Sequence, residues 1–267
     1  MPSASFDLRV YLYALALLAA IAVATWSVSL LRRNASVVDS VWSLFLLASA
    51  VCYAGFASWH GPRGWIILGL LAIWAVRLGV YITVRNWGEP EDRRYAQIRA
   101  NHQPGFGLKS LFIVFLLQAA LAWVISLPLH AGILGSGRLN LCDALGIALV
   151  VFGIGFESIA DLQLARFKAR PDSHGQVMDR GLWRYSRHPN YFGECCVWWG
   201  FWLVAAGAGA WWSVISPLLM TLLLLRISGV TLLERDIAGR RPAYRDYVAS
   251  TNAFVPGPPR RRVTYNR

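Results

Sequence analysis

The sequence has few charged residues, and this scarcity excludes most classes of soluble domain. Only 15% of its 267 residues are Asp, Glu, Lys or Arg, whereas 56% are hydrophobic. Ordinary soluble domains carry charged side chains at about a quarter of their positions. Apolar runs long enough to cross about 30 Å of hydrocarbon recur along nearly the whole chain. The composition therefore predicts a single integral membrane domain and leaves no room for a separate soluble one.

Acidic residues are also scarce. The chain holds 14 Asp and Glu against 26 Lys and Arg, which gives a formal net charge of +12. Nucleic-acid-binding domains share such an excess, but here the basic residues stand in short loops between apolar runs and form no continuous stripe. We therefore expect these charges to meet membrane lipids. We predict neither a nucleic acid nor a protein partner.

Cysteine usage gives no sign of a metal centre. The four residues are Cys52, Cys142, Cys195 and Cys196, and no CxxC pair occurs among them. Paired cysteine spacing is the usual sequence sign of structural zinc. We therefore predict no metal site.

Seven apolar segments are long enough to span a bilayer as helices that rise 1.5 Å per residue. The first segment has no small-residue cleavage site after a short core, so we expect a retained helix and not a signal peptide. The predicted fold is an all-α polytopic membrane bundle of about seven transmembrane helices. The predicted spans are Leu8 to Leu31, Ala35 to Ala57, Trp65 to Arg85, Ser110 to His130, Leu141 to Ala165, Tyr191 to Gly209 and Trp211 to Leu233.

Lys and Arg alternate between the two sides of these spans. The N-terminal arm and the loops on its side hold only Arg9, Arg63 and Arg138, and the other side holds most of the remaining basic residues. By the positive-inside rule, the N-terminus is outside and the C-terminus is cytoplasmic. We expect one membrane domain over residues 1–256 and a basic, disordered tail over residues 257–267.

Leaving aside the first and last three residues of each predicted span, six charged residues fall within the spans, where a charged side chain costs roughly 2.5 to 3.5 kcal/mol. The predicted orientation places all six in the cytoplasmic half of the membrane. Glu157 and Asp161 are four residues apart and Lys168 follows on the same helix face. Single charges also pair between helices or snorkel to the interface, but six on one side predict a pocket that opens to the cytosol. The six are Asp39, Arg77, Glu157, Asp161, Glu194 and Arg226.

The segment from Gly181 to Glu194 carries the most specific pattern. Pro189 keeps the preceding residue out of the helical region and suits a first helical position, so the helix of the sixth span is predicted to begin there. Its unpaired N–H groups then lie beside Arg184, Arg187 and His188, an arrangement suited to a phosphate or another anion. A basic loop that contacts anionic lipid is the alternative.

The Arg-His-Pro-Asn-Tyr core at residues 187–191 resembles the C-terminal signature of the steroid 5-alpha-reductase-like family of membrane reductases. The resemblance continues over residues 157–168 and 244–256, and it is strongest between 143 and 256. The run Val38 to Trp42, with the loop Glu91 to Tyr95, is similar to the bacterial branch of that family. The resemblance implies a seven-helix enzyme of the bacterial inner (plasma) membrane. Such an enzyme holds NADPH in a cytosol-facing cavity and reduces an activated carbon–carbon double bond of a lipophilic, steroid- or enone-like substrate.

The resemblance also implies roles for particular residues. The Gln-Glu pair of the steroid enzymes is not reproduced, and Asp39 stands where their acid stands. Tyr81 is the nearest phenol on the third helix, and Arg77 lies on the same polar stripe, so these three are the predicted catalytic residues. Five predicted cofactor-binding residues match cofactor contacts of the family: Asn86, Asp161, Lys168, Asn190 and Glu194. Five more are predicted from their position in the sequence beside these: Glu157, Arg184, Arg187, His188 and Tyr191.

Two other functions stay open at this level. Membrane methyltransferases that use S-adenosylmethionine on isoprenylated cysteine or phospholipid amines share an Arg-His-Pro-x-Tyr segment before a helix. Asp161 with its continuation to Lys168, and the seven spans, favour the reductase. A non-catalytic protein, such as a transporter, would use the charges for pairing or conduction, but the spans lack the paired broken helices of many transport sites.

Gly153 and Gly155 follow no strand, so we interpret them as helix-packing residues and not as a dinucleotide fingerprint.

Overall fold

The computed structural model describes residues 6–57, 61–173, 175–227 and 243–260. Over these ranges the chain is helical and contains no strand. The helices are α1 (Leu8–Arg32), α2 (Val37–Phe56), α3 (Pro62–Asn86), α4 (Arg93–Asn101), α5 (Phe106–Ile125), α6 (Leu127–Leu134), α7 (Leu141–Lys168), α8 (Pro189–Gly207), α9 (Ile215–Leu222) and α10 (Ala243–Ser250). Short 3-10 turns lie at Pro171–Ser173, Gly181–Arg184 and Trp211–Val214, and π-helical stretches lie at Leu111–Leu116 and Leu223–Ile227.

Within the described ranges, five helices are long and apolar enough to cross a membrane: α1, α2, α3, α5 and α7. They coincide with the first five predicted spans, which confirms an all-helical chain with the helices of an integral, multi-pass membrane protein. The sixth predicted span falls on α8. The seventh begins on the apolar helical stretch Trp211–Arg226, and its residues 228–233 lie outside the described ranges.

The fourth span ends earlier than predicted. The sequence was expected to stay helical to His130, but α5 ends at Ile125 and α6 begins at Leu127. Pro128 lies in the first turn of α6, where its missing N–H would have no intrahelical acceptor. A proline therefore marks a new helix start inside an unbroken apolar run.

One compact unit comprises Met1–Ala144 and Phe201–Ser216. In it α2 packs against both α1 and α3, and its core contains the fully buried side chains of Leu18, Phe45 and Trp74. The hydroxyl of Ser43 on α2 donates to the Ala75 carbonyl on α3 at 2.8 Å. This bond satisfies a buried polar group that would otherwise face hydrocarbon.

A buried ion pair lies in the same unit, at the start of α3 and of α7. The Nε atom of Arg63 donates to Oδ1 of Asp143 at 2.7 Å, and its Nη2 atom donates to Oδ2 at 2.8 Å. The two side chains are only 2% and 1% exposed. The bidentate geometry compensates the two charges where water is excluded.

The other compact unit comprises Leu145–Gly200 and Pro217–Arg267. In it α7 and α8 approach closely because glycines face each other. A Cβ atom on Gly153 would lie 2.6 Å from the Gly193 carbonyl oxygen, and one on Gly193 would lie 2.7 Å from the Glu157 nitrogen. The helix-packing prediction is therefore confirmed for Gly153. It is wrong for Gly155, where an added Cβ atom would meet nothing within 4 Å.

Candidate functional site

Three acidic side chains are buried where α7 and α8 cross. Glu157 and Asp161 lie one turn apart on α7, with exposed fractions of 2% and 3%, and Glu194 on α8 is 8% exposed. The glycine contact between Gly193 and the Glu157 backbone brings the two helices together at this level. Buried carboxylates are costly unless hydrogen-bonded or paired, so a cluster of them is a candidate binding site.

Asn190 connects the two helices within this cluster. Its side-chain nitrogen donates to Oδ1 of Asp161 at 3.2 Å. Tyr191 follows, and its ring lies nearly parallel to that of His188, with 5.5 Å between the centroids and an angle of 4° between the planes. His188 is buried. The start of α8 therefore combines an amide that contacts Asp161 with a pair of stacked rings.

Helix α8 begins at Pro189, as predicted from the sequence. Just before it, the Ser186 hydroxyl oxygen accepts a hydrogen bond from the His188 N–H at 3.1 Å. Ser186 is fully buried. Its side chain therefore satisfies a backbone donor that has no partner within the helix.

The turn that leads into α8 is also attached to α7. Trp183 donates its indole N–H to the Ala160 carbonyl at 3.0 Å, and the Leu182 N–H donates to Oε1 of Gln163 at 2.9 Å. Gly181 has a φ of +58°, and a Cβ atom there would lie 2.5 Å from the Gln163 side chain. Only glycine fits this left-handed turn without strain.

Lys168, at the end of α7, lines an open cavity of about 450 Å³. Arg170 is a second cation in its wall. The cavity combines these charges with apolar surface, which suits an anionic ligand that also has an apolar part. The remaining lining residues are Leu164, Phe167, Pro171, Ser173 and Met178.

Two of the predicted arginines lie in the turn before α8. Arg184 ends the 3-10 turn Gly181–Arg184 and is exposed. Arg187 is half-buried, and its Nη1 atom donates to the carbonyl oxygens of Thr251 at 2.7 Å and Val248 at 3.2 Å. One Arg187 nitrogen is thus engaged with the C-terminal segment. Arg184 extends from the same turn into solvent.

The remaining predicted residues lie in the unit that holds α2 and α3. Asn86 is the last residue of α3, and its side-chain oxygen accepts a hydrogen bond from Nε of Arg85 at 3.1 Å. Arg77 and Tyr81 are half-buried on α3. The guanidinium carbon of Arg85 lies 5.8 Å from the centroid of the Tyr81 ring, so the predicted polar stripe on this helix includes a cation–π contact.

Asp39 is held by helix α4. Its Oδ1 atom accepts a hydrogen bond from the Tyr95 hydroxyl at 2.5 Å, and its Oδ2 atom accepts one from Nη2 of Arg94 at 2.8 Å. The Gln118 amide donates to the Tyr95 hydroxyl at 3.0 Å. Burial raises the pKa of Tyr95 well above its ordinary value of 10, and the charge of Asp39 raises it further. Tyr95 is therefore a neutral donor at every physiological pH.

A second set of contacts joins α4 and the loop between α3 and α4 to the start of α2. Arg99 pairs with Glu91 through two bonds of 2.7 and 2.8 Å, and the Ala35 N–H donates to Glu91 at 2.7 Å. Burial raises the pKa of Glu91, but these hydrogen bonds and the Arg99 charge outweigh burial and hold it below its ordinary value. The Ser36 hydroxyl also accepts from the Asp92 N–H at 2.7 Å. Charged and polar contacts thus attach the α3–α4 loop and α4 to α2.

Residues 25–251 match the family model described as "Protein of unknown function (DUF1295)". The chain belongs to the DUF1295 family. This family is related to the steroid 5-alpha-reductase-like proteins, which agrees with the resemblance of the Arg-His-Pro-Asn-Tyr segment to those proteins. The DUF1295 match spans both the acidic cluster of α7 and α8 and the Asp39 contacts.

A yeast protein is similar to this DUF1295 chain over most of its length. An uncharacterized protein of Schizosaccharomyces pombe is 24% identical over 261 residues, which cover 86% of this chain and 75% of the yeast protein. No solved structure matches the chain.

Several residues that shape the acidic cluster of α7 and α8 and the contacts of Asp39 were not identified from the sequence. Ser186 was not selected, although a serine near a proline helix start is a common capping signal. Arg94 and Tyr95 were noted only as part of a family-like run. Their contact with Asp39 has no local signal, because 55 or more residues separate the partners.

Proposed function

We propose that this protein is a membrane-embedded, NADPH-dependent reductase that transfers hydride to an activated carbon–carbon double bond of a lipophilic, steroid- or enone-like substrate. The observation that carries the proposal is the contact of Asn190 with Asp161 beside the buried Glu157 and Glu194. These residues belong to the two segments that resemble the membrane reductases. Membership of DUF1295 supports the proposal because that family is related to steroid 5-alpha-reductase-like proteins.

The chemical character of the cluster fits a nicotinamide dinucleotide. Buried carboxylates accept hydrogen bonds from ribose hydroxyls and from a carboxamide, and the amide of Asn190 both donates and accepts. The phosphates of a dinucleotide need cations, and Lys168 and Arg184 are exposed cations of the same compact unit. We assign the neutral groups of the cofactor to the acids and to Asn190, and its phosphates to the two cations.

When bound, NADPH supplies the hydride, and the protein holds and orients the nucleotide and excludes water. The burial of Glu157, Asp161 and Glu194 supports such a water-poor site. The rings of His188 and Tyr191 lie nearly parallel at the start of α8. These two residues are assigned to the walls of the cofactor site.

The proposed enzyme crosses a bacterial inner membrane seven times, with its N-terminus outside and its C-terminus in the cytosol. The five apolar helices of the described ranges and the distribution of Lys and Arg among the loops support this topology. The lipophilic substrate enters from the bilayer. Asp39, Arg77 and Tyr81 remain the residues predicted to contact it.

The test is nucleotide identification and titration on protein purified in a mild detergent. Mass spectrometry of the extracted protein should detect NADPH, and added NADPH should bind in preference to S-adenosylmethionine. Asn190→Ala and Glu194→Gln should each weaken NADPH binding about tenfold or more, since a hydrogen bond that involves a charged group contributes about 1.5–3 kcal/mol. The matched controls are Asn101→Ala and Glu89→Gln, whose side chains are exposed outside the cluster.

Each outcome bears on a different part of the proposal. Preferential binding of S-adenosylmethionine would replace the reductase with the methyltransferase alternative. If both site variants bind NADPH as tightly as the controls do, the residue assignment is wrong even though the cofactor is right. Failure to bind either nucleotide at millimolar concentration would overturn the proposed function.

A further inference from the structure

The C-terminal segment makes a dense set of contacts with the turn that precedes α8. We define the C-terminal strap as α10 together with residues 251–257. Its residue Tyr247 is 4% exposed. The Tyr247 hydroxyl donates to the Trp183 carbonyl at 2.5 Å and lies 3.3 Å from the Ser186 carbonyl. One phenol thus contacts two carbonyl groups of the turn.

Beyond α10 the strap runs antiparallel to the turn. The Arg187 N–H donates to the Asn252 carbonyl at 2.9 Å, and the Gly257 N–H donates to the Tyr185 carbonyl at 3.0 Å. Between these two bonds, the Ser186 hydroxyl donates to the Phe254 carbonyl at 2.7 Å. Residue numbers fall along the turn as they rise along the strap. The three hydrogen bonds therefore pair the two segments in antiparallel orientation.

Arg187 strengthens the pairing from the side of the turn. Its Nη1 atom donates to the carbonyl of Val248, in the last turn of α10, and to that of Thr251, the first residue after the helix. The last carbonyls of a helix have no N–H donor further along it. A cation at a helix C-terminus is also favoured by the helix dipole. The arginine therefore holds α10 against the turn.

The contacts continue from the strap into the candidate site. The Ser186 hydroxyl that donates to the strap also accepts the N–H of His188, next to the first residue of α8. The opposite side of the turn is fixed to α7 by Trp183 and Leu182. Asn190 follows directly after Pro189 and contacts Asp161 from this fixed start. The turn is thus held between α7 and the strap.

We infer that the C-terminal strap positions the nucleotide-binding start of α8, with Tyr247 and Arg187 as positioning residues. The inference rests on the proposed function for the identity of the ligand, but the contacts themselves do not. The strap acts through Ser186 and His188 and needs no contact of its own with the nucleotide. Arg187, selected from the sequence as a cofactor-binding residue, is assigned to this positioning role.

The first test removes one hydroxyl from the full-length protein. Tyr247→Phe should raise the dissociation constant for NADPH about fivefold to tenfold, because the turn loses its buried donor. Tyr185→Phe is the matched control, since the residue is 44% exposed and its backbone carbonyl, which the substitution keeps, accepts the hydrogen bond from Gly257 of the strap. Arg187→Ala should have a similar effect, which Arg187→Lys partly restores. Tyr247→Phe combined with Arg187→Ala should give less than the product of the two single effects, because both weaken the same pairing of the turn with the strap.

A second readout needs no nucleotide. Hydrogen–deuterium exchange in detergent should be at least about tenfold faster for the amides of Arg187 and His188 in Tyr247→Phe and in Ser186→Ala, and unchanged in Tyr185→Phe. Unchanged exchange in both variants would overturn the inference that the strap holds the turn before α8. Faster exchange with unaltered NADPH affinity would overturn its positioning role. Faster exchange in a protein that binds no NADPH would support the strap and reject the proposed reductase.

Discussion

The Tyr95 hydroxyl donates to Oδ1 of Asp39 at 2.5 Å, and this bond joins α4 to the first turn of α2. Arg94 occupies the other carboxylate oxygen at 2.8 Å. Asp39 was predicted as a catalytic acid, and the structure gives it a further task as the residue that attaches α4. These two tasks have different experimental consequences.

Asp39→Asn should destabilise the protein by about 1–3 kcal/mol, because partly buried Arg94 loses one of its two carboxylate partners and keeps only Asp92. The measurement is thermal unfolding in detergent, with Glu89→Gln as the exposed control. A double-mutant cycle with Tyr95→Phe should show coupling, since the two side chains share one bond. If Asp39→Asn abolishes turnover and leaves the unfolding temperature unchanged, the catalytic task is the correct one.

The Glu91–Arg99 pair predicts a response to acid. The folded-state pKa of Glu91 lies below its ordinary value of 4.5, so its stabilising contribution is complete above about pH 4.5. The contribution is lost as the pH falls through the folded-state value. The stability difference between the wild type and Glu91→Gln should therefore be constant from pH 8 to about pH 5 and should shrink in more acidic buffer. A difference that grows on acidification would contradict the assigned pairing.

The buried pair of Arg63 and Asp143 predicts a large loss of stability when one partner is removed. Asp143→Ala leaves a buried guanidinium without its carboxylate and should cost about 3–5 kcal/mol in the free energy of unfolding. Arg138→Ala is the control, because it keeps the backbone carbonyl that accepts a hydrogen bond from Arg63 at 3.1 Å. Replacing both Arg63 and Asp143 with apolar residues should recover much of the loss. A double variant as unstable as Asp143→Ala would show that the pair is not the cause.

Gly193→Ala should separate α7 from α8. The new methyl group would lie 2.7 Å from the Glu157 nitrogen and 2.8 Å from the Gly153 oxygen, and both of these are backbone atoms. We expect a lower unfolding temperature and loss of the Asn190–Asp161 contact, measured as weaker NADPH binding. Gly155→Ala is the matched control, because it meets nothing within 4 Å and alanine favours the helix by about 1 kcal/mol. Equal effects of the two variants would argue against close packing at Gly193.

The sequence was a good guide to the part of the candidate site that depends on short-range order. Glu157 and Asp161 share a face because they are four residues apart, and Pro189 begins α8 because its ring fits only a first turn. The end of the fourth span was misjudged, since Pro128 was included within a long apolar run. Hydropathy shows that such a run is long and apolar, but it does not show where one helix ends and the next begins.

The sequence by itself determined a helical membrane protein, the positions of its first five spans apart from the end of the fourth, and the start of α8. Hydrophobicity, helical period and proline stereochemistry determine these because they act over a few neighbouring residues. Only the tertiary structure decided that α4 reaches Asp39 through Tyr95, and that the C-terminal strap pairs with residues 183–187. Those contacts join residues more than 50 positions apart. Their partners are selected by the packing of whole helices, and no pattern along the chain records that choice.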